Sequence, residues 1–448
     1  MTSQNLDQAS RASTRADATR DLARREIATQ EIVTQDKSPV GAVILGGAHG
    51  SLAVARSLGR RGIQVWYVTH DHPIARYSRY TTRSLDWAGP DHEGAVAWLL
   101  DLAARHGLDG WVLFAGGDAE VRLLSRHRAA LEEAYRVTTP PWPIASVACD
   151  KRLTHEHAAA VGVDSPWSCY PRDRDEVAAL DCRFPLILKP TVNLGRNAFT
   201  AAKAWRVDDR AALTSRYDEA AALVGADAIA LQELIPGGGE AQFSYAAVWN
   251  DGAPLASLVA RRRRQYPVDF GFTSTFVETI EEPDIERAAV RFLGPLRFSG
   301  LVELEFKRDN RDGRYKLLDV NPRPWTWIGL GAAAGVDFPW VQWQLARGQE
   351  TTPSAAPSRG RAGIGWTHAS RDLVSAVRQI AGGTLPPSEY LGSLWRKMTF
   401  AAFAADDPLP GLVDLPVVMG RVVARRYFEE SPDEATAPDG KPLLPMAR

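Results

Sequence analysis

The sequence predicts a mixed chain, α/β and then α+β: a Rossmann-like parallel α/β domain, an α+β body and a mainly helical C-terminal region. Three observations carry this expectation. From Pro39 onward, short apolar runs alternate with glycine turns and helical patterns; charged strands recur between residues 184 and 323; and helical periodicity returns after the Pro/Ser-rich stretch TTPSAAPSRG. A chain of 448 residues is too long for one core and fits two or three domains.

The first residues, MTSQNLDQASRASTRADATRD, lack the apolar core of a secretion signal and contain acids that a transit peptide avoids. Residues 1–38 therefore read as a flexible tail, helical around Asp21 to Val33. The segment VGAVILGGAHGSLAVARSLGRRGIQVWYVTHD then reads as a strand (Val40 to Leu45), a glycine turn, a helix (Ser51 to Arg60) and a strand (Ile63 to Thr69). That βαβ unit implies a parallel sheet. It does not imply a dinucleotide site, because only Gly46 falls on the fingerprint that continues at Ala48 and Ser51, and Asp71 is the only candidate ribose acid. A second strand, glycine turn and helix begins at Trp111. Its strand-end loops, with His49, Gly50, Asp118 and Glu120, are where an open parallel sheet would take a ligand; the two carboxylates also suit first-turn helix positions.

Phe184 to Leu188 is an apolar run ended by Lys189-Pro190, which puts an ammonium group at the end of a buried strand. Phosphate is a natural partner there, since attraction over about 4 Å grows from roughly 1 kcal/mol in water to roughly 4 kcal/mol at an effective dielectric of about 20. A lysine snorkelling at a strand edge is the bland alternative. Ala230 to Pro236, ALQELIP, runs into Gly237-Gly238-Gly239-Glu240, which suits a hinge beside a purine or an ordinary turn. Helical patterns at Lys151 to Val161 and Arg210 to Val224 separate these strands.

The densest chemistry lies in GLVELEFKRDNRDGRYKLLDVNPR, residues 300–323. Strand alternation places Glu303, Glu305 and Lys307 on one face and Val302, Leu304 and Phe306 on the other. After the turn signal at 309–313, the same alternation puts Asp319 and Asn321 together. Glu305, Asp319 and Asn321 can thus converge, and clustered carboxylates repel unless a hard ion such as Mg2+ relieves them. A solvated acidic strand is the alternative.

Taken in order, Asp150-Lys151, LILKP (186–190), QELIPGGGE (232–240), ELEFK (303–307) and DVNPR (319–323) resemble the ATP-grasp superfamily, and within it the carboxylate-amine ligase-like branch that includes D-aspartate ligases. The resemblance spans about 200 residues. It implies an ATP-grasp fold of two α+β subdomains, with ATP and Mg2+ or Mn2+ as cofactors. By position, Lys151 and Lys189 resemble the lysines on the nucleotide phosphates, Glu233 and Leu234 the adenine hinge, and Glu240 the ribose-binding carboxylate. Glu305, Asp319 and Asn321 resemble the magnesium ligands. Arg323 matches the arginine at the transferred phosphate or acyl-phosphate, and Arg262 and Arg264, two apart in ARRRRQYP, the basic pair near the γ-phosphate and acceptor. Three departures stand out: Asp319 replaces the usual glutamate, the loop TVNLGRNAF has only Gly195, and Glu303 adds a carboxylate.

The expected activity is ATP-dependent joining of a small-molecule carboxylate to an amine through an acyl-phosphate, releasing ADP and phosphate. Two other classes stay open: an ATP-grasp phosphotransferase acting on a small molecule, and a non-catalytic nucleotide-binding regulatory protein. The formal net charge of −1 and pI near 6.8 carry no footprint of nucleic-acid binding. Cys149, Cys169 and Cys182 lack metal-type spacing and suit a reducing cytoplasm. No apolar stretch reaches spanning length, and a homodimer is the default assembly. Trp325 and Trp327 suit core packing or an acceptor wall, and the nine histidines receive no catalytic role. The expected boundaries are a tail (1–38), the Rossmann-like domain (39–145), the ATP-grasp domain (146–350), a helical appendage (351–428) with helices around Arg371 to Ile380 and Val413 to Arg426, and a disordered tail (429–448).

Overall fold

The computed structural model describes residues 40–191, 197–202, 204–266, 273–349 and 358–427. The expected tails and the glycine-poor loop at 192–196 lie outside the described residues. Three sheets organise the rest.

The first is parallel and five-stranded, built from β1 (Ala42–Leu45), β2 (Val65–Thr69), β3 (Arg83–Asp86), β4 (Trp111–Ala115) and β5 (Tyr135–Val137) in the order β3-β2-β1-β4-β5. β1, β2 and β4 are buried along their whole length, as the unbroken apolar runs AVIL, VWYVT and WVLFA require of strands covered on both faces. Val43, Leu45, Leu99, Leu113, Val121 and Leu124 share the core with the helices Ala95–His106 and Asp118–Arg126. The strand order reverses between β1 and β4. There the two glycine loops touch: a Cβ on Gly47 (φ +75°) would lie 2.5 Å from the Gly116 carbonyl oxygen, so the close approach needs glycine.

The second sheet is antiparallel: β6 (Ser168–Cys169), β7 (Leu186–Pro190), β8 (Trp205–Val207) and β9 (Ile229–Glu233), ordered β6-β9-β7-β8. Leu186, Leu188, Ile229 and Leu231 bury one face against the helix Arg210–Val224. Alternation leaves Lys189 and Gln232 on the opposite face.

The third sheet has eight strands: β10 (Gln242–Asn250), β11 (Ala253–Tyr266), β12 (Thr273–Ile280), β13 (Gly300–Arg308), β14 (Tyr315–Asn321), β15 (Ser358–Arg359), β16 (Gly365–Thr367) and β17 (Met398–Phe400). Its path is β14-β13-β10-β11-β12-β16-β17, with β15 pairing β11. Tyr245, Ala247, Trp249, Val302, Leu304, Phe306, Leu317 and Val320 bury one face against the helix Pro283–Leu293. That leaves the charged residues of β13 and β14 on the other. Trp325 and Trp327 are buried in contact with each other, and Trp325 also meets Phe338, so they pack the core.

The region after residue 357 is mainly helical, with helices Ala369–Ala381, Pro387–Leu394 and Leu409–Tyr427, and it also supplies three short strands to the large sheet. Arg264 of β11 anchors it, with Nε to Asp372 Oδ1 at 2.9 Å and Nη2 to Oδ2 at 2.8 Å, both side chains buried. Asp407, almost fully buried, accepts from Arg56 Nε at 2.9 Å and so ties the same region to the first helix, His49–Gly59. Among the described residues no helix is long and apolar enough to cross a membrane.

Candidate active site

The site is set by the register of β13 and β14. Glu305 pairs with Asp319 and Glu303 with Asn321, so all four side chains share the face away from the core. A bulge at Leu318 makes this possible. Strict alternation would put Leu317 beside Asp319; the extra residue lets Leu317 turn into the core while Asp319 keeps its aim. Next to β13, β10 brings Ser244 beside Glu305 and Gln242 beside Lys307, and β11 brings Arg262 beside Gln242.

The acidic cluster is knitted by hydrogen bonds. Asn321 Nδ2 donates to Glu303 Oε2 and Glu305 Oε1, both at 3.3 Å, and Arg262 Nη2 donates to Glu305 Oε2 at 3.2 Å. Glu303 is 3% exposed and its Oε1 has no partner among the described residues. Burial, then the Glu305 charge, pushes its carboxyl up to about 8.

Cations approach from two other elements. Asp150 caps the helix Lys151–Ala160 by accepting from the Arg152 and Leu153 N–H groups, which fixes Lys151 at its first position. Lys151 Nζ lies 3.1 Å from Asp319 Oδ2. Burial alone would lower its pKa, but Asp319, with Glu305 and Asp118 beyond, holds it above the ordinary lysine value. Lys189 points from β7 toward the same charges and donates to Gln232 Oε1 at 2.8 Å. Burial, followed by repulsion from Lys151, lowers it to about 8. Among the described residues Lys189 thus has no direct carboxylate partner, which is the condition under which an arriving anion is most strongly held.

Arg323 joins this cluster to the parallel domain. Its Nη2 donates to Asn321 Oδ1 and to Asp118 Oδ2, each at 3.2 Å, and its Nε bonds Asp118 Oδ1. Asp118 opens the helix after β4, so the strand-end loop and the metal-type cluster are neighbours. Close by, Glu120 is buried between the two glycine loops, near enough that a Cβ on Gly46 or Gly117 would strike its carboxylate. Burial raises it to about 7, and His70 Nδ1 stands 3.7 Å from Oε1.

Arg262 and Arg264 part company. β11 bulges at Arg263, so Arg262 pairs with Val277 but Arg264 with the adjacent Phe276, which sends the two guanidiniums to opposite faces. Arg264 stacks between Phe276 and Tyr390, outside the acidic cluster, so its expected place near the γ-phosphate is corrected. At the hinge, Glu233 Oε1 accepts from Lys316 Nζ at 2.7 Å and from the Trp167 N–H at 3.0 Å, and Oε2 accepts from Arg311 at 2.8 Å, bridging the second sheet to β14. The Leu234 N–H is donated to the Pro185 carbonyl at 3.2 Å and is thereby engaged within the protein. Glu240 is exposed and accepts from the Gly238 N–H at 2.9 Å. Asp118 was expected at a strand-end loop but not as the partner of Arg323, and Gln232 and Gln242 were missed; the strand position of Gln232, two residues from Ala230 opposite Lys189, was the available signal. A groove of about 650 Å³, lined by Arg128, Arg136, Asn250 and Gln342 among others, lies elsewhere and includes none of the cluster.

Comparison with known proteins bears on the fold. Residues 247–367, which carry β13 and β14, match the family described as ATP-grasp in the biosynthetic pathway with Ter operon. Among curated proteins none matches the sequence. Among solved structures, the L-amino acid ligase from Bacillus licheniformis superposes at TM-score 0.54 with 15% identity, covering 70% of this chain and 77% of that one. The biotin carboxylase domain of Hydrogenobacter thermophilus 2-oxoglutarate carboxylase, in complex with MgADP, ADP and bicarbonate, superposes at 0.55 with 15% identity over 71% and 72%. The ADP complex of PurK, N5-carboxyaminoimidazole ribonucleotide synthetase, does so at 0.50 with 15% identity over 66% and 73%. With its antiparallel sheets and a preceding parallel domain, the chain shares the fold of these structures, and residues 247–367, which include the acidic strands, carry the match to an ATP-grasp family.

Proposed function

We propose that the protein is an ATP-dependent carboxylate-amine ligase. The observation that carries this reading is the convergence of Lys151 and Lys189, from two different elements, on the carboxylates of Glu305 and Asp319. The donor set fits a magnesium ion: two carboxylates and an amide oxygen are hard ligands, and the buried, unpartnered Oε1 of Glu303 adds a lone pair that a cation would satisfy. Glu305, Asp319 and Asn321 would hold it, and it would supply charge neutralisation on the nucleotide phosphates.

The remaining steps belong to the chain. Lys151, Lys189 and Arg262 bind and orient the triphosphate, with the purine end toward the Glu233–Glu240 segment. An acceptor carboxylate held in line attacks the γ-phosphorus, its oxygen forming the new bond as ADP leaves, and an amine displaces phosphate from the acyl-phosphate to give the amide. Positioning and fixed charge do this work without a protein nucleophile. Arg323 reaches the reacting end from the Asp118 side, where it offsets charge on the tetrahedral intermediate. The crevice at the reversal between β1 and β4 is the natural acceptor position in an open parallel sheet. Glu120 lies there and suits the ammonium group of an amino-acid substrate.

The test is phosphate release with Mg-ATP over pairs of carboxylic acids and amino acids, followed by mass spectrometry of products. Amine-dependent release with an amide product supports the ligase. Phosphate transfer to a single substrate without an amine would replace it by a phosphotransferase, and binding without turnover by a regulatory protein.

A further inference from the structure

Away from the nucleotide cleft, the fold brings together three side chains that the ligase reading leaves without a role. His49 belongs to the first helix, His368 to the turn after β16, and Asp414 to the helix Leu409–Tyr427; all are buried, at 3%, 1% and 5% exposure. His49 Nε2 lies 2.8 Å from Asp414 Oδ1, His368 Nε2 lies 3.8 Å from Oδ2, and the three ligand atoms all fall within 4.8 Å of one another.

The hydrogen bonds around His368 favour one tautomer. Ser370 Oγ donates its one proton to Asp414 Oδ2 at 3.2 Å, so at its 3.2 Å contact with His368 Nδ1 the hydroxyl can only accept. With the Ser370 proton on Asp414, Nδ1 carries the ring proton and Nε2 presents a bare lone pair. That nitrogen is buried, has no hydrogen-bond partner among the described residues, and is aimed at Asp414 and His49. An imidazole lone pair left so is costly. It is also the form in which histidine ligates a metal, with the other nitrogen held by an outer partner.

We infer that His49, His368 and Asp414 form a second metal site, for a divalent transition ion of the zinc class. Two imidazoles and one carboxylate suit such an ion better than magnesium. Ligands about 2.0 Å from a tetrahedral zinc stand about 3.3 Å apart, and the observed 2.8 and 3.8 Å bracket that spacing. Arg371 lies within electrostatic reach of Asp414 and balances its charge in the metal-free protein. The site would staple the C-terminal helix to the first βα unit. It would also brace the active-site loop, because a Cβ on Gly50, next to His49, would lie 2.9 Å from the Trp325 carbonyl oxygen, two residues beyond Arg323.

This site requires no ATP chemistry, so its test is separate from that of the ligase. Protein purified without a histidine tag is stripped with chelator and titrated with Co2+, whose visible ligand-field band is intense in four- or five-coordinate histidine sites and weak in six-coordinate oxygen sites. The expected result is an intense band saturating at one equivalent per chain, displaced by Zn2+, absent in His49→Gln and His368→Gln, and retained in Glu305→Gln. Ser370→Ala keeps all three ligands and should weaken Co2+ binding about 10- to 100-fold, which decides the matter if the histidine variants do not fold. A folded wild-type protein without the intense band, or a band that survives both histidine variants, overturns the assignment.

Discussion

Glu305 and Asp319 stand directly opposite each other on adjacent antiparallel strands, and Lys151 reaches Asp319 at 3.1 Å from a capped helix. One cross-strand pair thus sets both the spacing of the proposed metal ligands and the position of a lysine proposed to face the nucleotide phosphates. Asp319→Ala and Glu305→Ala should each lower kcat by at least about 10²-fold, with far-UV circular dichroism unchanged. Wild-type turnover in either variant would defeat the metal-ligand assignment.

Glu303 keeps its proton up to about pH 8 in the cation-free protein. Cation binding favours the carboxylate, so loading Mg2+-nucleotide below that pH should release a proton. Affinity should then rise with pH from neutrality to about 8, and calorimetry in buffers of different ionisation enthalpy should count the proton. Because the folded pKa exceeds the unfolded value, this group stabilises the free protein most at low pH and progressively less as pH climbs toward 8. Glu303→Gln should flatten both dependences.

Lys189, held near 8 by burial and Lys151, predicts the opposite limb. In the proposed role its charged form binds phosphate, so nucleotide affinity should fall above about pH 8. Lys189→Arg should remove that falling limb, and Lys189→Ala should raise the KM for ATP by about 10-fold or more, taking roughly 1.4 kcal/mol per tenfold. A pH profile unchanged in Lys189→Arg would show that another group titrates.

The parting of the two arginines gives a contrast in kind. Arg264→Ala leaves Asp372 charged and buried, and breaking such a pair costs about 3–5 kcal/mol; the midpoint of denaturant unfolding should drop sharply. The double change Arg264→Met, Asp372→Leu should recover much of it. Arg262→Ala should instead reduce turnover with little loss of stability, read in the same titration.

For Glu120, a neutral glutamine should raise the KM of the amino substrate while leaving that of ATP near its wild-type value. In the wild type the carboxylate forms as pH passes about 7, so binding of an ammonium group should strengthen through that range. Equal pH profiles in wild type and Glu120→Gln would remove the residue from the acceptor site.

Alternation along a strand is a local property of the backbone, and it was enough to place Glu303, Glu305, Asp319 and Asn321 on one face and to mark Lys189 at a strand end. The parallel unit after residue 40 and the helices at 151–160 and 210–224 were legible for the same reason: apolar period and glycine turns act over a few residues. Bulges are settled by the neighbouring strand, and so the one at Arg263 separated Arg262 from Arg264 against the simple count, while the one at Leu318 freed Leu317 for the core. Pairings such as Arg323 with Asp118, 205 residues apart, and His49 with Asp414, 365 apart, come from the packing of whole elements and left no periodic trace in the chain. Residue type and spacing determined which groups are candidates for the chemistry; only the assembled sheets decided which of them meet, because burial and long-range register are properties of the packed fold.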